Sequence, residues 1–82
     1  MARKLAGKIT HYFPNVGVAV VSLQAGLNVG QLIEIEKAGN IVKQEVKSMQ
    51  VEHKPLQKAK KGMEVGLKVD QEVKPGALVY VV

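Results

Sequence analysis

The segment from Ile41 to Val51, IVKQEVKSMQV, is the longest stretch whose residue types and spacing both indicate a β-strand. It lies in the middle of the chain, so hairpins can pair on either side of it. Val42 and Val46 share one face of a strand with period two, whereas Met49 belongs to the opposite face. The apolar face therefore changes phase between Val46 and Met49. A β-bulge there predicts a curved strand at the centre of a small closed sheet.

The rest of the chain shows short strand patterns separated by turn signals. Strands are expected at residues 5–13, 16–23, 32–37, 65–70 and 77–82, and residues 25–31 and 54–61 are expected to be loops. In the first strand, Leu5, Ile9 and Phe13 share one face. Six or seven short strands without an amphipathic helix predict an all-β fold, a small closed antiparallel β-barrel. The 82 residues have room for one core, so we expect a single domain over residues 1–82, with residues 1–4 disordered.

The composition indicates the cellular compartment in which the protein is expected. The chain has no cysteine, which excludes disulfides, thiolate metal sites and a cysteine nucleophile and suits a reducing cytosol. Its N-terminus lacks the apolar run of a secretory signal, and the longest apolar run, residues 16–23, is far shorter than the roughly 20 residues that span a bilayer. We therefore expect a cytoplasmic protein without a membrane contact.

The second predicted strand, residues 16–23, is apolar on both faces, with Val18 on one and Val21 on the other. An antiparallel barrel covers only one face of each strand. Either a neighbouring segment folds over the outer face, or this strand offers an apolar patch to a partner protein. Val18 and Val21 are thus candidate partner-binding residues.

Basic residues suggest a second kind of partner. The net charge is +5, and residues 54–61 contain four lysines and no acid. The candidate phosphate contacts are Lys54, Lys58, Lys60 and Lys61, to which Arg3, Lys4 and Lys8 could add. Aromatic stacking platforms for single strands are scarce, since only Tyr12, Phe13 and Tyr80 are available. The alternative interpretation is a solvated lysine loop without a ligand.

The sequence contains little that could carry catalysis. It has neither the glycine-rich loop of nucleoside triphosphatases nor the dinucleotide-binding glycine motif, so no nucleotide cofactor is expected. His11, His53 and Ser48 are too few for a triad, although Glu45 or Glu52 could supply its acid. The two histidines are far apart in the chain, so we expect no metal site, no cofactor and no catalytic residue. An enzyme built around His11, His53 and Glu52 is the least favoured alternative.

Several segments in this order resemble a known module. They are residues 7–13, 16–21, 29–35, 46–50, 59–69 and 75–80, which together cover nearly the whole chain. Their order and spacing resemble the second-domain β-barrel of translation GTPases such as elongation factor Tu. The chain is still more similar to the C-terminal barrel of the collagenase-like peptidase family, whose members include proteins needed for tRNA and ribosomal RNA hydroxylation.

The resemblance implies a binding role. In elongation factor Tu this barrel packs on the GTPase domain and helps to hold the aminoacyl end of tRNA, through a region that corresponds to residues 50–61 here. Because no GTPase domain is present, GTP hydrolysis is not implied. We therefore expect a standalone, non-catalytic translation-factor-type module that binds RNA or a ribonucleoprotein through residues 54–61. The alternative is a protein-interaction module that docks a separately encoded enzyme or GTPase domain through residues 16–23.

Overall fold

The computed structural model describes residues 3–52 and 54–82, and the regular elements in these residues are ten β-strands. They are β1 (Lys4–Phe13), β2 (Val18–Leu23), β3 (Leu27–Asn28), β4 (Leu32–Lys37), β5 (Asn40–Glu45), β6 (Met49–Val51), β7 (Lys54–Leu56), β8 (Lys58–Ala59), β9 (Glu64–Lys68) and β10 (Leu78–Val81). The short strands β3, β7 and β8 lie in segments that the sequence predicts as loops. The described residues include no helix that is long and apolar enough to cross a membrane.

Eight of the strands form one antiparallel sheet in the order β5-β4-β10-β1-β2-β9-β6-β7. The other two, β3 and β8, pair with each other, and their partner residues Leu27 and Ala59 are both buried in the common core. The all-β, antiparallel prediction is therefore confirmed. The expected number of six or seven strands is too low, because short strands with only two or three residues carry too little sequence pattern to be recognised.

The segment at residues 41–51 is not one bulged strand, and that prediction is wrong. β5 ends at Glu45 and pairs with β4, whereas β6 begins at Met49 and pairs with β7 and β9. Val46 lies between them, and its N–H and C=O bond to Gln31 and Gly30 outside both strands. The predicted change of phase is nevertheless confirmed, since Val46 and Met49 are both buried. The apolar face changes phase because the chain leaves β5 at one end of the sheet and joins β6 near the other end.

The bulges of this fold lie in β1. Its register with β10 shifts between Leu5 and Gly7, and its register with β2 shifts between Ile9 and His11. The sequence pattern places Phe13 on the same face as Ile9. The second bulge reverses this, so Ile9 is fully buried while Phe13 is 50% exposed on the outside of the sheet.

The core is built from aliphatic side chains of almost every strand. Its largest fully buried members are Ile9, Leu27, Ile33, Met49, Leu67, Val21, Val46, Val65 and Val79. Val, Ile and Leu suit a pleated surface, and several strands supply one inward row each. This single core agrees with a domain that has no disulfide to support it.

Gln44 on β5 is the polar side chain buried in this core, with 5% of its surface exposed. Its Nε2 donates a hydrogen bond to the carbonyl oxygen of Lys68 at 2.9 Å, and its Oε1 accepts one from the N–H of Asp70 at 2.9 Å. β5 has a ladder partner only on its β4 side. The side chain of Gln44 therefore connects β5 to Lys68 at the end of β9 and to Asp70 just after it, although β5 and β9 are not ladder partners.

Candidate docking groove

β2 sends alternate side chains to the two faces of the sheet. Ala19, Val21 and Leu23 are buried in the core, whereas Val18 and Val20 are half-buried on the outer face. Of the two residues expected to bind a partner, Val21 has no exposed surface and cannot contact one. Val18 is accessible from outside, so the structure separates the two residues that the sequence left equivalent.

Val18 and Val20 lie in an open groove of about 710 Å³. Its lining residues come from β1, β2, β6, β9 and the turns beside them: Phe13, Pro14, Asn15, Val16, Val18, Val20, Gln50, Val51, Glu52, Glu64, Val65 and Gly66. The strand register places Val20 beside Gly66, and Gly66 beside Gln50, in one row across three strands. The groove thus has an apolar wall on its β2 side.

One end of the groove is formed by the turn between β1 and β2. Phe13 is 50% exposed and Val16 is 58% exposed, although both are large apolar residues. The turn is held by a 2.9 Å hydrogen bond from the N–H of Gly17 to the carbonyl of Phe13, and by a 2.8 Å bond from Lys68 Nζ to the carbonyl of Val16. These bonds hold the two apolar side chains at the mouth of the groove.

Gly66 forms part of the floor. A Cβ atom at this position would lie 3.1 Å from Cγ1 of Val18 and 3.2 Å from Cγ of Gln50. These distances are tighter than ordinary van der Waals contact, so a larger residue would push against both neighbours and raise the floor. Glycine inside a strand often marks a place where another group approaches the backbone closely.

Two carboxylates, Glu52 and Glu64, border the groove. Both residues are exposed, and neither forms an ion pair with another described residue. Glu52 follows β6 and has a φ of 51°, in the left-handed region that residues other than glycine seldom adopt. The groove therefore joins an apolar wall to an acidic border.

The four lysines of the predicted RNA contact are all exposed. Lys54 begins β7, Lys58 lies on β8, and Lys60 and Lys61 lie between β8 and β9. Within the described part of the chain, the ion pairs involve Arg3, Lys43 and Lys47 and none of these four residues. The lysines are distributed over two sheets and the connection between β8 and β9, and the expectation of a loop is wrong for Lys54 and Lys58.

The N-terminal basic residues divide into two kinds. Arg3 forms ion pairs with Glu34 at 3.1 Å and Glu36 at 2.9 Å, and its guanidinium lies 4.1 Å from the ring centroid of Tyr80. The hydrogen bonds from Arg3 to Glu36 and then Glu34 raise the pKa of Arg3 above its usual value. Arg3 is thus neutralised locally, whereas Lys4 and Lys8 are exposed on β1. Disorder is expected from the sequence for residues 1–4; Lys4 begins β1, and residues 1 and 2 lie outside the described residues.

The described residues that were considered for catalysis lie in different parts of the fold. His11 is exposed on β1 with its ring centroid 6.3 Å from that of Phe13, and Glu52 and Ser48 are exposed elsewhere. His53 lies outside the described residues. Within residues 3–52 and 54–82, no group of three or more His, Cys, Asp or Glu residues could hold a metal ion.

Sequence reasoning found the β2 side of the groove and missed the rest. The sequence pattern places Phe13 on the same face as Ile9, and neither Gln50 nor Gly66 is among the candidate partner-binding residues. A glycine between the inward residues Val65 and Leu67 is a signal that could have pointed to the floor of a surface depression. The outward position of Phe13 could not be recognised, because it depends on a bulge in the pairing of β1 with β2.

No model of a known protein family matches the chain. Over 75 residues, or 90% of its length, the chain is 37% identical to an uncharacterized protease of Methanocaldococcus jannaschii. The match covers 18% of that protease. The chain therefore spans less than a fifth of the length of this relative.

Solved structures give a clearer likeness. The C-terminal domain of a candidate U32 peptidase of Geobacillus thermoleovorans matches with a TM-score of 0.88 over 96% of this chain and 92% of that domain, at 21% identity. The chain has the fold of this C-terminal domain. The selenomethionine variant of the same domain matches with a TM-score of 0.86, covering 94% of this chain and 98% of the domain, at 22% identity. These likenesses support the peptidase part of the expected resemblance and do not support the elongation factor Tu part.

Proposed function

We propose that this domain is a non-catalytic binding module that docks, through its outer groove, on the remaining part of a U32-type peptidase in the cytoplasm. The observation that carries the proposal is the apolar wall of the groove, where Val18, Val20, Phe13 and Val16 face outward on a hydrogen-bonded framework. Exposed contiguous apolar surface with a polar border is typical of protein interaction sites.

The relatives of this chain support the choice of occupant. The Methanocaldococcus protease is much longer than this chain, and the Geobacillus structures are of a domain at the C-terminus of a candidate peptidase. A domain of this kind has the rest of its protein as a neighbour, in the same chain or as a separate one. We therefore assign the groove to a surface of that neighbour.

Two single substitutions on β2 test the docking. The probe is the Methanocaldococcus jannaschii protease from which the 75 matched residues have been deleted, with its folding checked by circular dichroism, and binding is measured by calorimetry. Val18→Asp places a charge in the groove and should abolish the complex while the spectrum of the domain stays unchanged. Val21→Asp is the control, because an unpaired charge in the core should unfold the domain. Normal binding by a folded Val18→Asp variant contradicts the proposal.

We propose RNA or ribonucleoprotein binding as a second function. It is supported by the exposure of Lys54, Lys58, Lys60 and Lys61, which form no ion pairs with other described residues. Such lysines can exchange their counterions for phosphates, which makes binding salt-dependent. Recognition would depend mainly on charge and shape, because few aromatic residues are available for stacking.

A further inference from the structure

We propose that the groove binds an extended peptide segment of its partner in which apolar side chains lie between lysines or arginines. One apolar side chain of the segment lies against Val18 and Val20, and one cationic group lies between Glu52 and Glu64. This inference rests on the proposed docking function and names the chemistry of the segment that docks.

The apolar half of the assignment follows from the floor and wall of the groove. Gly66 presents no side chain between Val20 and Gln50, its neighbours in the register, so the side chains of Val18 and Gln50 pack closely over its backbone and form the surface that an entering group would meet. Phe13 and Val16, both at least half exposed, stand at the end of the same groove. A branched aliphatic or aromatic side chain against Val18 and Val20 would remove this apolar surface from water.

The cationic half follows from the positions of the two carboxylates. β6 pairs with β9 through Met49 with Leu67 and Gln50 with Gly66, and the antiparallel direction puts Glu52, just after β6, and Glu64, at the start of β9, at the same end of this pair of strands. Two carboxylates that line the same groove repel each other. A lysine or arginine of the partner between them would relieve the repulsion and gain two attractive contacts.

The backbone conformation of Glu52 also supports a contact with a cationic group of a partner. Its φ of 51° favours glycine, asparagine or aspartate, yet the residue is a glutamate at the border of the groove. Lys54 pairs with Val51 across the hairpin and forms no ion pair with Glu52 among the described residues. The carboxylate is thus left to an external partner.

The net charge of the whole chain favours the binding of a basic ligand at this groove over other parts of the surface. With a net charge of +5, most of the surface repels a basic peptide. Glu52 and Glu64 form a local negative region beside the apolar wall of the groove. A basic segment would therefore bind at this groove in preference to other parts of the surface, and its binding would weaken as salt screens the attraction.

Nuclear magnetic resonance of the full 82-residue chain, labelled with nitrogen-15, tests the assignment. The probes are two synthetic peptides, Gly-Lys-Leu-Phe-Lys-Gly and Gly-Glu-Leu-Phe-Glu-Gly, with blocked ends. The lysine peptide should shift the amide signals of Val18, Val20 and Gly66, and added salt should reduce its affinity. The glutamate peptide should bind more weakly at the same positions.

Variants of the two carboxylates provide the matched control. The double variant Glu52→Gln and Glu64→Gln should weaken binding of the lysine peptide about fivefold, the size expected for two exposed ion pairs. The double variant Glu45→Gln and Glu72→Gln changes the net charge equally at two exposed positions that do not line the groove and should bind as the wild type does.

The outcomes separate this inference from the docking function. Equal binding of both peptides at Gly66, with loss of binding in Val18→Asp, overturns the cationic contact and leaves apolar docking intact. Signal shifts confined to residues 58–61, or no binding of the lysine peptide, overturn the inference. Whether the domain docks on the peptidase is decided separately by the calorimetric experiment.

Discussion

Val46 and Met49 are three residues apart, yet both side chains are buried. In an uninterrupted strand, residues three apart point to opposite faces, so one of the two would be exposed. The structure resolves this because Val46, between β5 and β6, bonds to Gly30 and Gln31, after which the carbonyl of Ser48 accepts a bond from the N–H of Lys68 on β9. Met49 is 1% exposed and belongs to the core of the second half of the sheet.

Met49→Ala tests this placement at the residue scale. Removing a fully buried methionine side chain leaves a cavity, and the free energy of unfolding should fall by about 2–5 kcal/mol. Ser48→Ala is the control, because Ser48 is exposed and its side chain lies beside Met49 in sequence only. Chemical denaturation measures both variants, and an unchanged stability for Met49→Ala would place this side chain outside the core.

At the scale of elements, β5 is a strand with one ladder partner, β4, and the side chain of Gln44 connects it to the end of β9. β5 and β9 are far apart in the order of the sheet, so the two hydrogen bonds of Gln44 bring distant strands of the sheet together. Such a buried amide is favourable only while both its donor and its acceptor have partners.

Gln44→Leu keeps a similar volume and removes both bonds. The carbonyl of Lys68 and the N–H of Asp70 would then be without their partners, and the free energy of unfolding should fall by about 1–3 kcal/mol. Gln24→Leu is a matched exchange at an exposed position and should change stability little. Hydrogen exchange of the Asp70 amide gives a local measurement, and unchanged protection in Gln44→Leu would contradict the connection.

At the scale of the whole molecule, the charged residues fall into two groups. Lys37, Lys43 and Lys47 have partners, namely the carbonyl of Pro75 and the carboxylates of Glu34 and Asp70. Lys54, Lys58, Lys60 and Lys61 have no ion-pair partner among the described residues. The second group, like the exposed Lys4 and Lys8, can exchange counterions for phosphates.

Replacing Lys58, Lys60 and Lys61 with glutamine tests the proposed RNA binding. The slope of log affinity for bulk tRNA against log salt concentration should become less negative. The expected change is about one unit for each phosphate that a lysine no longer neutralises. The control replaces Lys37, Lys43 and Lys47 with glutamine, which changes the net charge equally. Titrations at physiological salt and at twice that concentration measure the slope, and equal slopes in the two variants would discard the lysine site.

Much of the local structure of this chain could be predicted from its sequence. The alternation at residues 32–37 predicted β4 with its bounds, and the apolar pattern of residues 16–23 on both faces predicted an outward apolar surface on β2. The change of phase between Val46 and Met49 was visible as well. These features depend on residues close together in sequence, and a strand exposes its pattern within a few residues.

The pairing of strands was decided only by the tertiary structure. The position of the bulges in β1, the separation of β5 from β6 and the outward orientation of Phe13 all depend on hydrogen bonds between residues distant in sequence. Likewise, only the closed core distinguishes Val21 from Val18, and only the packing of β2 against β9 and β6 forms the groove around Gly66. A strand's pattern determines that it has two faces, whereas its neighbours determine which face is covered.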